Sequence, residues 1–131
     1  MRIAIKRDII FLVSSVIELM NLSLYQAGSS MEWILEKENI IAINNHGEIL
    51  TKMEFSFVGS EVVETKHFYI QENLYGMGMD DLSMKVFVAF LREKSLKVIP
   101  NELLTNRWFQ QNINEVWDVL TQYDYQQAEA S

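Results

Sequence analysis

Met79, Leu82, Val86, Phe87 and Phe90 recur at the three- and four-residue intervals of an α-helix, while Asp80, Lys85 and Glu93 fall off that stripe. The spacing predicts one strongly amphipathic helix from about Met79 to about Lys94. Such a stripe is stable only against a second layer, and the residues before it supply a sheet. Ile40, Ile41 and Ile43 form an extended run that stops at Asn44-Asn45-His46-Gly47, a cluster suited to a tight turn. Met53, Phe55 and Phe57 then alternate with Lys52, Glu54 and Ser56 in the two-residue period of a half-buried strand. Gly59-Ser60 is the next turn, and a third strand runs from about Val62 to Ile70. The expectation is a three-stranded antiparallel meander, then the helix. After it come a short strand, Leu96-Lys97-Val98-Ile99, stopped by Pro100, and a last helical segment marked by Phe109, Ile113, Val116, Trp117 and Leu120. This is an α+β domain.

The first thirty residues differ from the rest. Arg2, Lys6 and Arg7 precede an apolar stretch in which Ile9, Leu12, Val13, Val16, Ile17 and Met20 recur at helical spacing. Asp8 and Glu18 bracket a run too short to span a bilayer, which takes about 20 apolar residues, and Tyr25-Gln26-Ala27-Gly28 is a weak cleavage signal. The stretch reads as an extra N-terminal amphipathic helix, able to form a homodimer or dock on a partner, followed by a Gly28-Ser29-Ser30 linker. The expected organisation is therefore an extension over 1–30, a domain over 31–125, and a polar tail over 126–131. Met31 could itself be the start.

The 131 residues carry a formal charge of −7 and no cysteine. One ordinary domain of this size buries a core without disulfides. The acidic balance opposes nucleic-acid binding, which rests on Lys and Arg neutralising phosphates, and would suit a cationic substrate such as a small-molecule amine or a lysine side chain. Without cysteine there is no disulfide, no thiolate metal site and no thiol nucleophile, and a cytoplasmic location fits. His46 and His67 are the only histidines, with no carboxylates at a recognisable zinc spacing, so no metal is expected. Trp33, Trp108 and Trp117 read as core or interface anchors.

Three stretches carry a resemblance: His67-Phe68-Tyr69-Ile70, Leu74-Tyr75-Gly76-Met77-Gly78 and Leu96-Lys97-Val98-Ile99-Pro100, with Trp108-Phe109 after the proline. Their order and spacing resemble the short, single-domain branch of the GNAT superfamily of N-acetyltransferases over about 33–120. In that branch a His-Thr-x-Val strand leads to Leu-Arg-Gly-x-Gly, a helix, and Leu-Lys-x-Ile-Pro. The resemblance implies acetyl-CoA as cofactor, held by the Gly-x-Gly turn and the flanking strand: Tyr69, Ile70, Tyr75, Gly76, Met77, Gly78, Met79 and Asp80. The physics is general, since unpaired amides and the positive end of a helix dipole bind anions. Met77 and Met79 would line the pantetheine slot or fill the core.

The implied activity is direct attack of an amine on the thioester, with His67 or Glu102 taking the proton. The sequence departs from the pattern at three places. Tyr75 stands where Arg or Gln is expected, Asp80 replaces Gly or Ala and is followed by Asp81, and Asn101-Glu102 occupies the place of a cysteine. Carboxylates where phosphate should lie favour an alternative, a non-catalytic interaction or dimerisation module that kept the fold and lost acetyl-CoA. A Glu at a helix start also has an ordinary role as a cap.

Overall fold

The computed structural model describes residues 31–121, so the expected N-terminal helix and the tail after 121 lie outside the described residues. Five strands form one mixed sheet in sequential order: β1 (Met31–Glu36), β2 (Asn39–Asn44), β3 (Ile49–Phe57), β4 (Val62–Ile70) and β5 (Lys97–Ile99). β1 to β4 are an antiparallel meander, and β5 joins β4 in parallel. The helices are α1 (Met79–Glu93), α2 (Leu103–Gln111) and α3 (Ile113–Val116), with 3-10 turns at Glu72–Leu74 and Trp117–Val119. The fold is mixed α+β.

The meander has four strands where three were expected. Lys37 takes a left-handed backbone (φ 55°) and folds the first extended run into the β1–β2 hairpin. No glycine or asparagine stands at that position, so the turn gives little local signal. It is held from β3, whose Phe55 amide donates to the Glu38 carbonyl at 2.9 Å and whose Phe57 amide donates to Glu38 Oε2 at 2.9 Å. The next hairpin follows its composition. Asn44 Oδ1 accepts from the amides of His46 (2.9 Å) and Glu48 (3.0 Å), and Gly47 supplies the positive φ.

Met79, Leu82, Val86, Phe87 and Phe90 of α1 are all buried, as their spacing required. They pack on the sheet face formed by Trp33, Ile40, Ala42, Met53, Phe55, Phe68 and Ile70. Phe55 is the centre of an aromatic cluster, with ring centroids 5.7 Å from Phe87 and 5.6 Å from Phe90. Two buried hydroxyl pairs cross the same layer boundary without leaving an orphan: Ser83 donates to Thr51 at 2.9 Å, and Thr65 pairs with Thr105 at 2.8 Å. The last helical segment begins earlier than the sequence suggested and is broken at Asn112, between α2 and α3. Trp33 and Trp108 are core residues, whereas Trp117 is 60% exposed. No helix among the described residues is long and apolar enough to cross a membrane.

Candidate functional site

The geometry that matters begins with an irregularity in β4. Glu54 pairs with His67 and Phe55 pairs with Thr65, so Lys66 is an extra residue, a β-bulge. The bulge breaks strict alternation: Lys66 and His67 both face outward, and Phe68 and Ile70 return to the core face. Lys66 Nζ lies 2.7 Å from Glu64 and, by hydrogen bonding, holds that carboxyl below its ordinary range.

β5 accompanies β4 only through Val62, Val63 and Glu64. Pro100 ends it, lacking the amide that would extend a ladder. Among the described residues the β5-facing edge of β4 has no strand partner beyond Glu64, and the start of α2 stands beside it. The Glu102 amide donates to Thr65 Oγ1 at 3.1 Å. Past this junction a cleft of about 260 Å³ opens between the free length of β4 and α2. Phe68 and Ile70 line it from β4, Asp80 and Met84 from α1, and Tyr75 from the intervening turn. Leu104, Arg107, Trp108 and Gln111 close the α2 side.

The turn at the end of the cleft carries both glycines in the left-handed region, Gly76 at φ 80° and Gly78 at φ 86°. A Cβ at either position would meet nothing within 4 Å, so the backbone conformation rather than crowding requires glycine there. Gly78 is the N-cap of α1 and offers no side chain to cap it. The first-turn amides of Met79, Asp80 and Asp81 therefore have no intrahelical acceptor.

The structure divides the two acidic residues that the sequence placed together at this turn. Asp81 Oδ1 accepts the indole N–H of Trp108 at 2.9 Å, and Oδ2 lies 3.3 Å from Lys85 Nζ. This carboxylate ties α1 to α2. Asp80 is exposed and stands at the cleft. Tyr75 and Met77 are also exposed, at 59% and 51%, while Met79 is buried in the core.

The two candidate proton acceptors are not brought together. The His67 side chain is 82% exposed on the outer sheet face, with Nε2 3.9 Å from Glu54 Oε1. Tyr69 points the same way, so of the β4 cofactor candidates only Ile70 turns its side chain to the cleft. Glu102 is the N-cap of α2: its Oε1 accepts the Thr105 amide at 2.8 Å, the capping arrangement expected at a helix start. Neither residue lines the cleft. Sequence reasoning missed Arg107, which brings a positive charge there from α2. Its one available signal was position, just over a helical turn after the Glu102 cap and directly before Trp108.

No protein-family model matches the chain, and no curated protein matches it.

Proposed function

We propose that this is an acetyltransferase-like domain that binds acetyl-CoA in the cleft between β4 and α2. The observation that carries the reading is the parting of β4 from β5, which opens a cleft that ends at the N-terminus of α1, a helix start without a side-chain cap. A pantetheine arm is an uncharged chain with two amides, and an unpartnered strand edge offers it backbone donors and acceptors. Its pyrophosphate would meet the amides of Met79, Asp80 and Asp81 across the Gly76-Met77-Gly78 turn. Arg107 supplies the cation that Tyr75 does not. In transfer, an amine nitrogen attacks the thioester carbonyl, the carbon–sulfur bond breaks, and CoA leaves as thiol while the amine proton passes to a base.

Asp80 opposes the phosphates. A carboxylate about 4 Å from one phosphate charge costs about 1 kcal/mol in water-like surroundings and about 4 kcal/mol at an effective dielectric of 20. Its exposure favours the lower figure, which leaves binding weak but measurable. The test is calorimetric titration of the full chain with acetyl-CoA beside an Asp80→Ala variant. Saturable one-to-one binding, tightened about fivefold or more in the variant, is expected. No heat from either protein at millimolar acetyl-CoA would overturn the reading.

A second reading, a non-catalytic binding module on the same fold, is favoured by the positions of His67 and Glu102, one on the outer sheet face and the other holding a helix cap. It separates from the first by CoA release. A protein that binds acetyl-CoA but releases no CoA with any of a panel of polyamines and lysine peptides is the module.

A further inference from the structure

Asp80 and Arg107 are opposite charges that line one cleft and do not meet. Asp80 stands in the first turn of α1 and Arg107 within α2, and both are exposed. Neither side chain makes an ion pair or a hydrogen bond among the described residues. Elsewhere on α1 the charges are engaged: Asp81 lies 3.3 Å from Lys85, and Arg92 holds Asp118 at 2.8 Å. Two full charges of opposite sign, left apart in a shared cleft, ask for a ligand that carries both complements.

Their placement is fixed by the residues beside them. The hydrogen bond from Trp108 Nε1 to Asp81 Oδ1, at 2.9 Å, joins the positions next to Arg107 and Asp80 and ties the start of α1 to α2 at the cleft. Charges carried on tied helices are preorganised, so a ligand that bridges them orders little of the protein on binding. Most of the remaining lining is apolar or aromatic, with Phe68, Ile70, Tyr75, Met84 and Leu104. At about 260 Å³ the cleft lies below the roughly 300–1,000 Å³ of sites for drug-sized ligands, so its occupant is small.

We infer that the cleft takes a free amino acid with an apolar or aromatic side chain. The Arg107 guanidinium receives its carboxylate, for which the planar fork of donors is suited. The Asp80 carboxylate receives its ammonium, and the apolar lining receives its side chain. A simple amine would leave Arg107 without a partner, and a simple acid would leave Asp80 without one, so neither satisfies the cleft as an amphoteric molecule does. Asp80 opposes the phosphates of acetyl-CoA, whereas here it is a binding group. The inference does not rest on the acetyl-CoA reading: the two ligands compete for Arg107 and make opposite demands on Asp80.

The test is calorimetric titration of the full chain with L-phenylalanine and L-leucine, each beside its decarboxylated and its deaminated analogue. Saturable one-to-one binding of at least one of the two amino acids is expected, about tenfold or more tighter than either of its single-charge analogues. Asp80→Ala and Arg107→Gln should each weaken it about tenfold or more, with urea midpoints unchanged because both side chains are exposed and unpaired. Asp80→Ala separates the two ligands, since it loosens the amino acid and tightens acetyl-CoA. No saturable heat from either amino acid at millimolar concentration would overturn the inference. So would an analogue that binds as tightly as its parent amino acid, or an affinity unchanged in either variant. Amino-acid binding in a chain that gives no heat with acetyl-CoA would overturn the acetyl-CoA reading alone.

Discussion

Replacing Asp81 tests whether this carboxylate belongs to the framework or to the ligand. It accepts the indole N–H of Trp108, a residue only 8% exposed, and neighbours Lys85 one helical turn on. Asp81→Ala leaves that donor without its acceptor, a cost of about 1–3 kcal/mol, and removes an exposed i,i+4 ion pair worth about 0.3–0.5 kcal/mol. The expected loss is about 2 kcal/mol. Asp81→Asn keeps an oxygen acceptor and forfeits mainly charge, so its loss should stay near or below about 1 kcal/mol. Urea denaturation of the two variants and the parent, with a shared slope, measures both values. The same variants, titrated with acetyl-CoA, should gain little affinity, because the Asp81 charge is already neutralised by Lys85 and engaged by Trp108. A loss below about 0.5 kcal/mol in Asp81→Ala, or an affinity gain equal to that of Asp80→Ala, would refute this assignment.

Gly78→Ala places a Cβ in open space but on a left-handed backbone, so it should cost about 1–2 kcal/mol through conformation alone, read as a lower midpoint in denaturant. Asp118 receives two hydrogen bonds from Arg92, at 3.0 and 2.8 Å, and these hold its carboxyl below the ordinary range. A depressed folded value means that its stabilisation is present above the unfolded carboxylate range near 4 and is lost as pH falls through the lower folded value. Asp118→Asn should therefore lose no more than about 1 kcal/mol at neutral pH, given the exposure of the pair, and should flatten the stability curve below about pH 4 in acid denaturation. Phe55→Ala, which removes the ring between Phe87 and Phe90, should cost about 3–5 kcal/mol and serves as the calibration for a core loss.

Periodicity carried the parts of the fold whose side chains alternate cleanly. The α1 stripe and the inward residues of β3 were legible because burial on one side leaves a repeating trace. The β1–β2 turn was not, since Lys37 adopts a left-handed conformation under the hold of β3 rather than by its own preference. The Lys66 bulge left only a run of four polar residues, Glu64 to His67, indistinguishable in sequence from a strand edge. For the candidate site, glycine spacing marked the turn, and both glycines adopt the backbone that only glycine tolerates well. Side-chain direction was not in the sequence. Asp80 and Asp81 are neighbours there, but one helical position, about 100° of rotation, separates a cleft residue from a framework residue. Arg107 was invisible for the same reason, as its approach to the cleft depends on how α2 packs beside β4.

The proposed placement of acetyl-CoA between β4 and α2, with its phosphates at the turn before α1, can be read residue by residue in an amide-resolved NMR titration of the full chain. Saturable shifts are expected to concentrate at Gly76, Gly78, Met79 and Asp80, with smaller ones at Ile70 and a weaker response in Arg107→Ala. Saturable shifts confined to other parts of the protein, or none at millimolar acetyl-CoA, would contradict it.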